Sequence, residues 1–186
     1  IINSNFSLKN LVDKLEIPLN KIAIEYNREI IDKKRIKKIL LSKNDKVEIV
    51  HIESEKNSEK ALESMCNYVE NLIKSLEISY RKLLLCAGDL GFASSITYDF
   101  EVYAPGQNRW LECSSVSNFK TYQSNRMNLK IRDNKDKVLA HTLNGSALAL
   151  PRIVAAILET HQDKGEINLP KVLHSYTGFK KITLWY

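Results

Sequence analysis

Thr97-Tyr98-Asp99-Phe100-Glu101-Val102-Tyr103-Ala104, then Pro105-Gly106-Gln107-Asn108, then Arg109-Trp110-Leu111-Glu112-Cys113-Ser114-Ser115-Val116, is the stretch on which the fold turns. Tyr98, Phe100 and Val102 alternate with Asp99, Glu101 and Tyr103 at the two-residue period of a strand with one buried face. The proline and glycine reverse the chain into Trp110–Val116, so two strands are expected to pair antiparallel.

Working outward, a strand Tyr80–Cys86 leads into the turn Gly88-Asp89-Leu90-Gly91. Before it, Ala61, Leu62, Met65, Val69, Leu72, Ile73 and Leu76 recur at three- and four-residue steps. They predict an amphipathic helix from Ser58 to Leu76, with Ser58 as N-cap and Glu59 favouring its first turn. Downstream, a short helix near Phe119–Asn125 precedes a hairpin of Asn128–Arg132 and Lys137–Thr142 around Asp133-Asn134-Lys135-Asp136. Gly145 then opens an apolar helix, Ala147 to His161, with Pro151 in or near its first turns.

The first segment has shorter elements: Ile1-Ile2, a helix around Leu8, Leu11, Val12 and Leu15, and a strand Ile22–Tyr26. Asn27-Arg28-Glu29 is a turn, Lys43-Asn44-Asp45 another, and Val47–Ile52 a strand. A boundary is expected between Asn44 and Asn57.

Composition, at 44% hydrophobic and 27% charged residues over 186 positions, is that of a globular protein, and no apolar run approaches the ~20 residues of a membrane span. Ile1-Ile2-Asn3-Ser4-Asn5 lacks the pattern of a secretion signal, so a cytoplasmic location is expected. Cys66, Cys86 and Cys113 lack the paired spacings of a zinc site or disulfide framework, and reduced packing roles are expected for them. The four histidines are scattered, and no structural metal is expected. Residues 1–52 hold 11 basic and 7 acidic side chains, so most of the net +6 lies there. Lys33, Lys34, Arg35, Lys37 and Lys38 could meet phosphates, but a solvated helix face is the plainer reading.

Two stretches place polar residues where a pocket could use them. In Glu112-Cys113-Ser114-Ser115, simple alternation puts Glu112 and Ser114 on one face and Cys113 and Ser115 on the other; a bend could turn a carboxylate and a hydroxyl toward one magnesium ion. An edge strand with exposed polar residues fits the same pattern. In Asn144-Gly145-Ser146-Ala147-Leu148-Ala149-Leu150-Pro151-Arg152, small residues permit close approach and Arg152 offers a fixed positive charge to a phosphate. A close-packed helix start with a surface arginine is the alternative.

In their order along the chain, Lys46-Val47-Glu48, Cys86-Ala87-Gly88-Asp89-Leu90-Gly91-Phe92, Thr97–Val102, Glu112–Phe119, Gln123-Ser124-Asn125-Arg126, His141–Ser146, Leu150-Pro151-Arg152 and Leu158-Glu159-Thr160-His161-Gln162 resemble the C-terminal half of the seryl-tRNA synthetase catalytic domain, over residues 46–186. The resemblance implies an α+β fold, a class II antiparallel sheet with helices. It also implies an activity: serine is activated with ATP and Mg2+ to seryl-adenylate and transferred to tRNA-Ser. By the same resemblance Glu48 holds the serine amino group, with Ser146 and Asn144 in the serine pocket. Glu112, Cys113, Ser114 and Ser115 form the ATP segment, Glu112 and Ser115 hold Mg2+, and Arg152 clamps the phosphates. Glu112 and Arg152 are therefore the expected catalytic pair.

Upstream of Lys46 the family's tRNA arm, first motif, serine loop and second-motif arginine are not found, so a truncated or fused form with impaired activity is expected, and whether it is itself a working enzyme stays open. A homodimer is the oligomer the family suggests. Ile22–Ile31 and Lys43–His51 resemble the thiamin-biosynthesis sulfur carrier, implying a small β-grasp segment over residues 1–45, although the carrier's terminal Gly-Gly is absent. A non-catalytic binding module and a fusion product without selected function are the competing expectations.

Overall fold

The computed structural model describes residues 6–14, 18–42, 45–133, 136–146 and 148–183. The sequence expectations at Ile1-Ile2, Leu15, Lys43-Asn44, Asn134-Lys135 and Ala147 lie outside those residues. In chain order the elements are α1 (Leu8–Lys14), β1 (Ile22–Tyr26), β2 (Glu29–Ile30), β3 (Val47–Glu53), α2 (Glu55–Ser75), β4 (Tyr80–Leu84), β5 (Ile96–Ala104) and β6 (Arg109–Asn118). There follow α3 (Tyr122–Met127), β7 (Lys130–Asp133), β8 (Asp136–Leu139), β9 (His141–Gly145), α4 (Leu150–Thr160), β10 (Gln162–Asp163), β11 (Glu166–Asn168), α5 (His174–Thr177) and β12 (Lys181–Thr183). Every strand pairing described is antiparallel, with helices between the strands, which is the expected α+β class.

Two compact units result. The first comprises Ile1–Ser58 and Lys120–Asn144. Its strand β1 pairs with β2 and, along its whole length, with β3; β3 also pairs with β9 through His51 to Glu53. Leu8, Val12, Ile22, Ile24, Ile31 and Ile36 form its buried core, with Leu19, Tyr26, Val47 and Ile49 packed around them. The basic stretch around them is a turn and not the expected helix face. The carbonyls of Ile36 and Ile39 accept the N–H groups of Lys9 and Leu8 at 3.1 and 2.8 Å and so satisfy the open N-terminal end of α1. The expected second hairpin strand is also divided. Asp136–Leu139 pairs with β7, whereas His141–Leu143 pairs with β3, and the chain changes partner at buried Ala140.

The second unit comprises Glu59–Phe119 and Gly145–Tyr186. Strand β5 lies between β4 and β6, and α4 packs against β5 and β6 with Ile153, Ala156 and Ile157 buried. Along α2 the buried apolar residues are Leu62, Cys66, Val69 and Ile73, with Leu76 buried just past its end; Leu72, expected inside, is 45% exposed. Helix α2 begins three residues before the expected start. Ser58 is consequently no N-cap: its hydroxyl faces inward, donating to the Glu55 carbonyl at 3.1 Å and meeting His141 Nδ1 at 2.8 Å. Burial lowers the His141 pKa, a trend that Glu55 opposes and Lys120 reinforces. None of the described helices is long and apolar enough to cross a membrane.

At the end of β3, Glu53 is buried and receives Lys21 Nζ at 2.6 Å and the Ser54 N–H at 3.0 Å, with His51 Nε2 at 3.5 Å. Burial pushes its carboxyl up, but the hydrogen bonds from Lys21, Ser54 and His51 outweigh that and hold it at about 2, against an ordinary 4.5. A depressed carboxylate stabilises the fold above its unfolded pKa and loses that contribution as pH falls through the folded value. Glu53→Gln should therefore cost about 2–3 kcal/mol at neutral pH and flatten the loss of stability between pH 4.5 and 2, as read by urea titrations at stepped pH; an unchanged acid profile would refute the assignment.

Candidate functional site

Strand β6 carries a β-bulge. Tyr98, Asp99 and Phe100 of β5 face Val116, Ser115 and Ser114, but Glu101 faces Glu112, leaving Cys113 as the extra residue. Directly opposed residues share a sheet face, so Ser115 lies on the face of Asp99, and Glu112 on that of Glu101. Asp99 and Glu101 are two apart on β5 and thus on one face, so the bulge brings Glu112 and Ser115 together. The expected pairing of Glu112 with Ser114 is corrected, because simple alternation does not survive an inserted residue. Ser114 turns in with Phe100, and both Cys113 and Ser114 are buried.

Three carboxylates, Asp99, Glu101 and Glu112, therefore occupy one face of the hairpin. Arg81 bonds Glu101 and lies 4.6 Å from the Trp110 ring centroid. Burial, followed by the charge of Glu112, raises the Asp99 carboxyl above its ordinary range, against a hydrogen bond with Ser115. Arg81 relieves part of the negative charge on this face, and among the described residues no three His, Cys, Asp or Glu side chains are grouped so as to hold a metal ion. The sequence alone does not single out Asp99. Its alternation in β5 is visible there, but its partner across the hairpin depends on the bulge.

The segment after β9 is fastened to the same strand. Ser146 N–H donates to the Ser115 carbonyl at 3.0 Å and Ala149 N–H to the Cys113 carbonyl at 2.7 Å. Ser115 N–H donates to Ser146 Oγ at 3.1 Å, and Ser114 Oγ to the Ser146 carbonyl at 2.6 Å. Ala149 is extended and is the N-cap, so α4 starts at Leu150, later than expected. Pro151 then occupies the first turn, where its missing N–H costs nothing. From that turn Arg152 Nη1 donates to the Glu112 carbonyl at 2.5 Å, and the side chain is otherwise exposed. At the far end of α4, Glu159 accepts the N–H groups of Gly106 and Gln107 at 2.9 and 3.3 Å and Gln107 Nε2 at 2.8 Å. Glu159 is a second residue to which sequence reasoning gives no role, and it ties the helix to the hairpin turn.

Of the expected site residues, the second unit thus gathers Glu112, Cys113, Ser114, Ser115, Ser146 and Arg152. Cys113 contributes backbone only, since burial pushes its thiol up to about 11 and keeps it protonated. In the first unit Asn144 Nδ2 donates to Glu48 Oε1 at 3.2 Å, joining the two residues expected around the serine amino group and pocket.

Residues 13–161 match the family described as tRNA synthetase class II core domain (G, H, P, S and T). The serine--tRNA ligase of Salinibacter ruber is 48% identical over 141 residues, covering 74% of this chain and 33% of that protein. That of Methylacidiphilum infernorum is 41% identical over 179 residues, covering 93% and 42%. The crystal structure of seryl-tRNA synthetase from Pyrococcus horikoshii complexed with ATP superposes with a TM-score of 0.72 at 32% identity, covering 89% of this chain and 38% of that one. The chain thus spans between a third and under half the length of these relatives.

The site's most exacting position is Gly145. A Cβ there would lie 2.9 Å from the Ser115 carbonyl oxygen and 3.1 Å from Val116 Cγ2. Gly145→Ala should cost about 1–3 kcal/mol in urea unfolding, because backbone must move to admit the methyl group; wild-type stability would mean that the approach is slack.

Proposed function

The chain belongs to the class II tRNA synthetase core-domain family, and from that membership we propose that it carries the serine- and ATP-facing residues of a serine--tRNA ligase. The observation that carries the reading is the joining of Arg152, Glu112, Ser115 and Ser146 around one bulged strand. In the reaction the serine carboxylate attacks the α-phosphorus of ATP, pyrophosphate leaves, and the terminal hydroxyl of tRNA-Ser later displaces AMP from the seryl carbonyl. No enzyme nucleophile is needed, so binding and charge do the work.

Arg152 meets the phosphates. Its hold on the Glu112 carbonyl fixes the guanidinium before ATP arrives, which lowers the ordering cost of the contact. Glu112 and Ser115 supply carboxylate and hydroxyl oxygens on one face and would hold Mg2+, which supplies charge neutralisation at the phosphates. Ser114 and Cys113 shape the ATP strand from beneath. Glu48, with Asn144 bonded to it, takes the serine ammonium, since a carboxylate in a hydrogen-bonded setting pairs strongly with a cation. Ser146 is held by three hydrogen bonds with Ser114 and Ser115. A cytoplasmic location and a homodimer accompany this reading.

Calorimetry with a non-hydrolysable seryl-adenylate analogue tests it. Wild-type protein should bind, and Arg152→Ala should weaken binding by about 10–100-fold, the loss of charge-assisted phosphate contacts. Pyrophosphate exchange should depend on serine and fall by about 100-fold or more in the same variant. Binding that survives Arg152→Ala combined with Glu112→Ala would remove the proposed site.

A further inference from the structure

The basic turn of the first unit plays no part in adenylate formation, yet its construction is specific. Lys33, Lys34, Arg35, Lys37 and Lys38 are all exposed, while Ile36 in their midst is buried at 1% exposure. Asp32 shapes the start of the turn: its carboxylate accepts the Lys34 N–H at 2.9 Å and its carbonyl the Arg35 N–H at 2.8 Å. Arg35 repeats the pattern, its carbonyl accepting the Lys38 N–H at 2.9 Å. The carbonyls of Ile36 and Ile39 are bonded to α1, so the backbone is fastened on its inner side while the cations stand outward.

What sets these side chains apart is their density along the chain: other exposed cations such as Lys60, Arg109 and Lys164 also lack an ion pair among the described residues, but none has a run of like charges beside it. Lys21, Lys74, Arg81, Lys82 and Lys181 each sit on a carboxylate. Among the described residues, none of the five turn cations has an ion-pair partner, and the only carboxylate in the turn, that of Asp32, is engaged with backbone. Five like charges held within six positions repel one another, an arrangement that a polyanion relieves.

We propose that the turn at residues 32–38 is a binding surface for the phosphates of structured RNA. The surface follows from the turn's own geometry, and the choice of RNA rests on the ligase reading above, whose macromolecular substrate is a tRNA. A bilayer is the weaker match, because the turn's one apolar side chain points inward and leaves charge without a wedge to insert. Exposed Ile30 and Leu40 flank the turn, so anionic vesicles form the comparison arm of the test.

The experiment is a fluorescence-anisotropy titration of the whole chain with tRNA at several salt concentrations. Three proteins are compared: wild type, a variant with Lys33, Lys34, Arg35, Lys37 and Lys38 all changed to Gln, and a control with exposed Lys60, Arg109, Lys164, Lys171 and Lys180 changed to Gln. Both variants lose the same charge and keep Ile36, and circular dichroism verifies folding. The turn variant should bind at least about tenfold more weakly, and its log–log salt slope should flatten by up to about 4, at about 0.9 for each phosphate no longer neutralised; the control should stay within about threefold of wild type. Absence of tRNA binding by the wild type, or equal losses in the two variants, would overturn the proposal. So would loss of vesicle binding with RNA binding intact. Seryl-adenylate analogue binding is measured on the same samples: if it fails, the ligase reading falls, whereas its survival beside unchanged RNA binding by the turn variant removes only the present inference.

Discussion

Backbone carbonyls of β6 are the constraint on which the second unit's chemistry depends. Those of Cys113 and Ser115 accept the N–H groups of Ala149 and Ser146, which fastens the entry to α4 to this strand. Ala149 is extended and serves as the N-cap, so α4 begins at Leu150 and Arg152 lies in its first turn. Gly145 is the residue that admits this approach, since any side chain would strike the Ser115 carbonyl. Arg152 returns the connection by bonding the Glu112 carbonyl, and Glu159 fastens the opposite end of the helix to the hairpin turn. The helix is thus held to one hairpin at both ends, which fixes the direction in which Arg152 projects.

The bulge at Cys113 has a comparable influence on charge. Without the extra residue, Glu112 and Ser115 would point to opposite faces, and a carboxylate and hydroxyl could not serve one ion. With it, they share a face with Asp99 and Glu101, and burial together with the charge of Glu112 raises the Asp99 carboxyl. The displaced residue is a cysteine whose thiol is buried and protonated, so the bulge introduces no competing nucleophile.

In the first unit, carbonyls of Ile36 and Ile39 complete α1. Ile36 anchors the turn in a core built from residues 8 to 49. Five cations are consequently displayed from a fixed scaffold, where a helix would have spread them around its circumference. At the other end of this unit, Glu53 is ionised in a buried position because Lys21, Ser54 and His51 converge on it.

Much of this was legible in the chain itself. Alternation in Tyr98–Tyr103 with Pro105-Gly106 behind it determined the antiparallel hairpin, three- and four-residue spacing determined α2, the apolar run behind Gly145 with Pro151 near its start pointed to α4, and the ordered motifs from Glu48 to Gln162 pointed to the class II synthetase family. Those features are local: period, turn chemistry and residue order are properties of contiguous sequence. Face sharing by Glu112 and Ser115, the inward turn of Ser58 and the change of partner at Ala140 were not legible, because each depends on which distant backbone group takes a given N–H or carbonyl. An inserted residue that reverses a strand's alternation leaves no mark in composition or period, so only the paired backbone could decide which side chains meet.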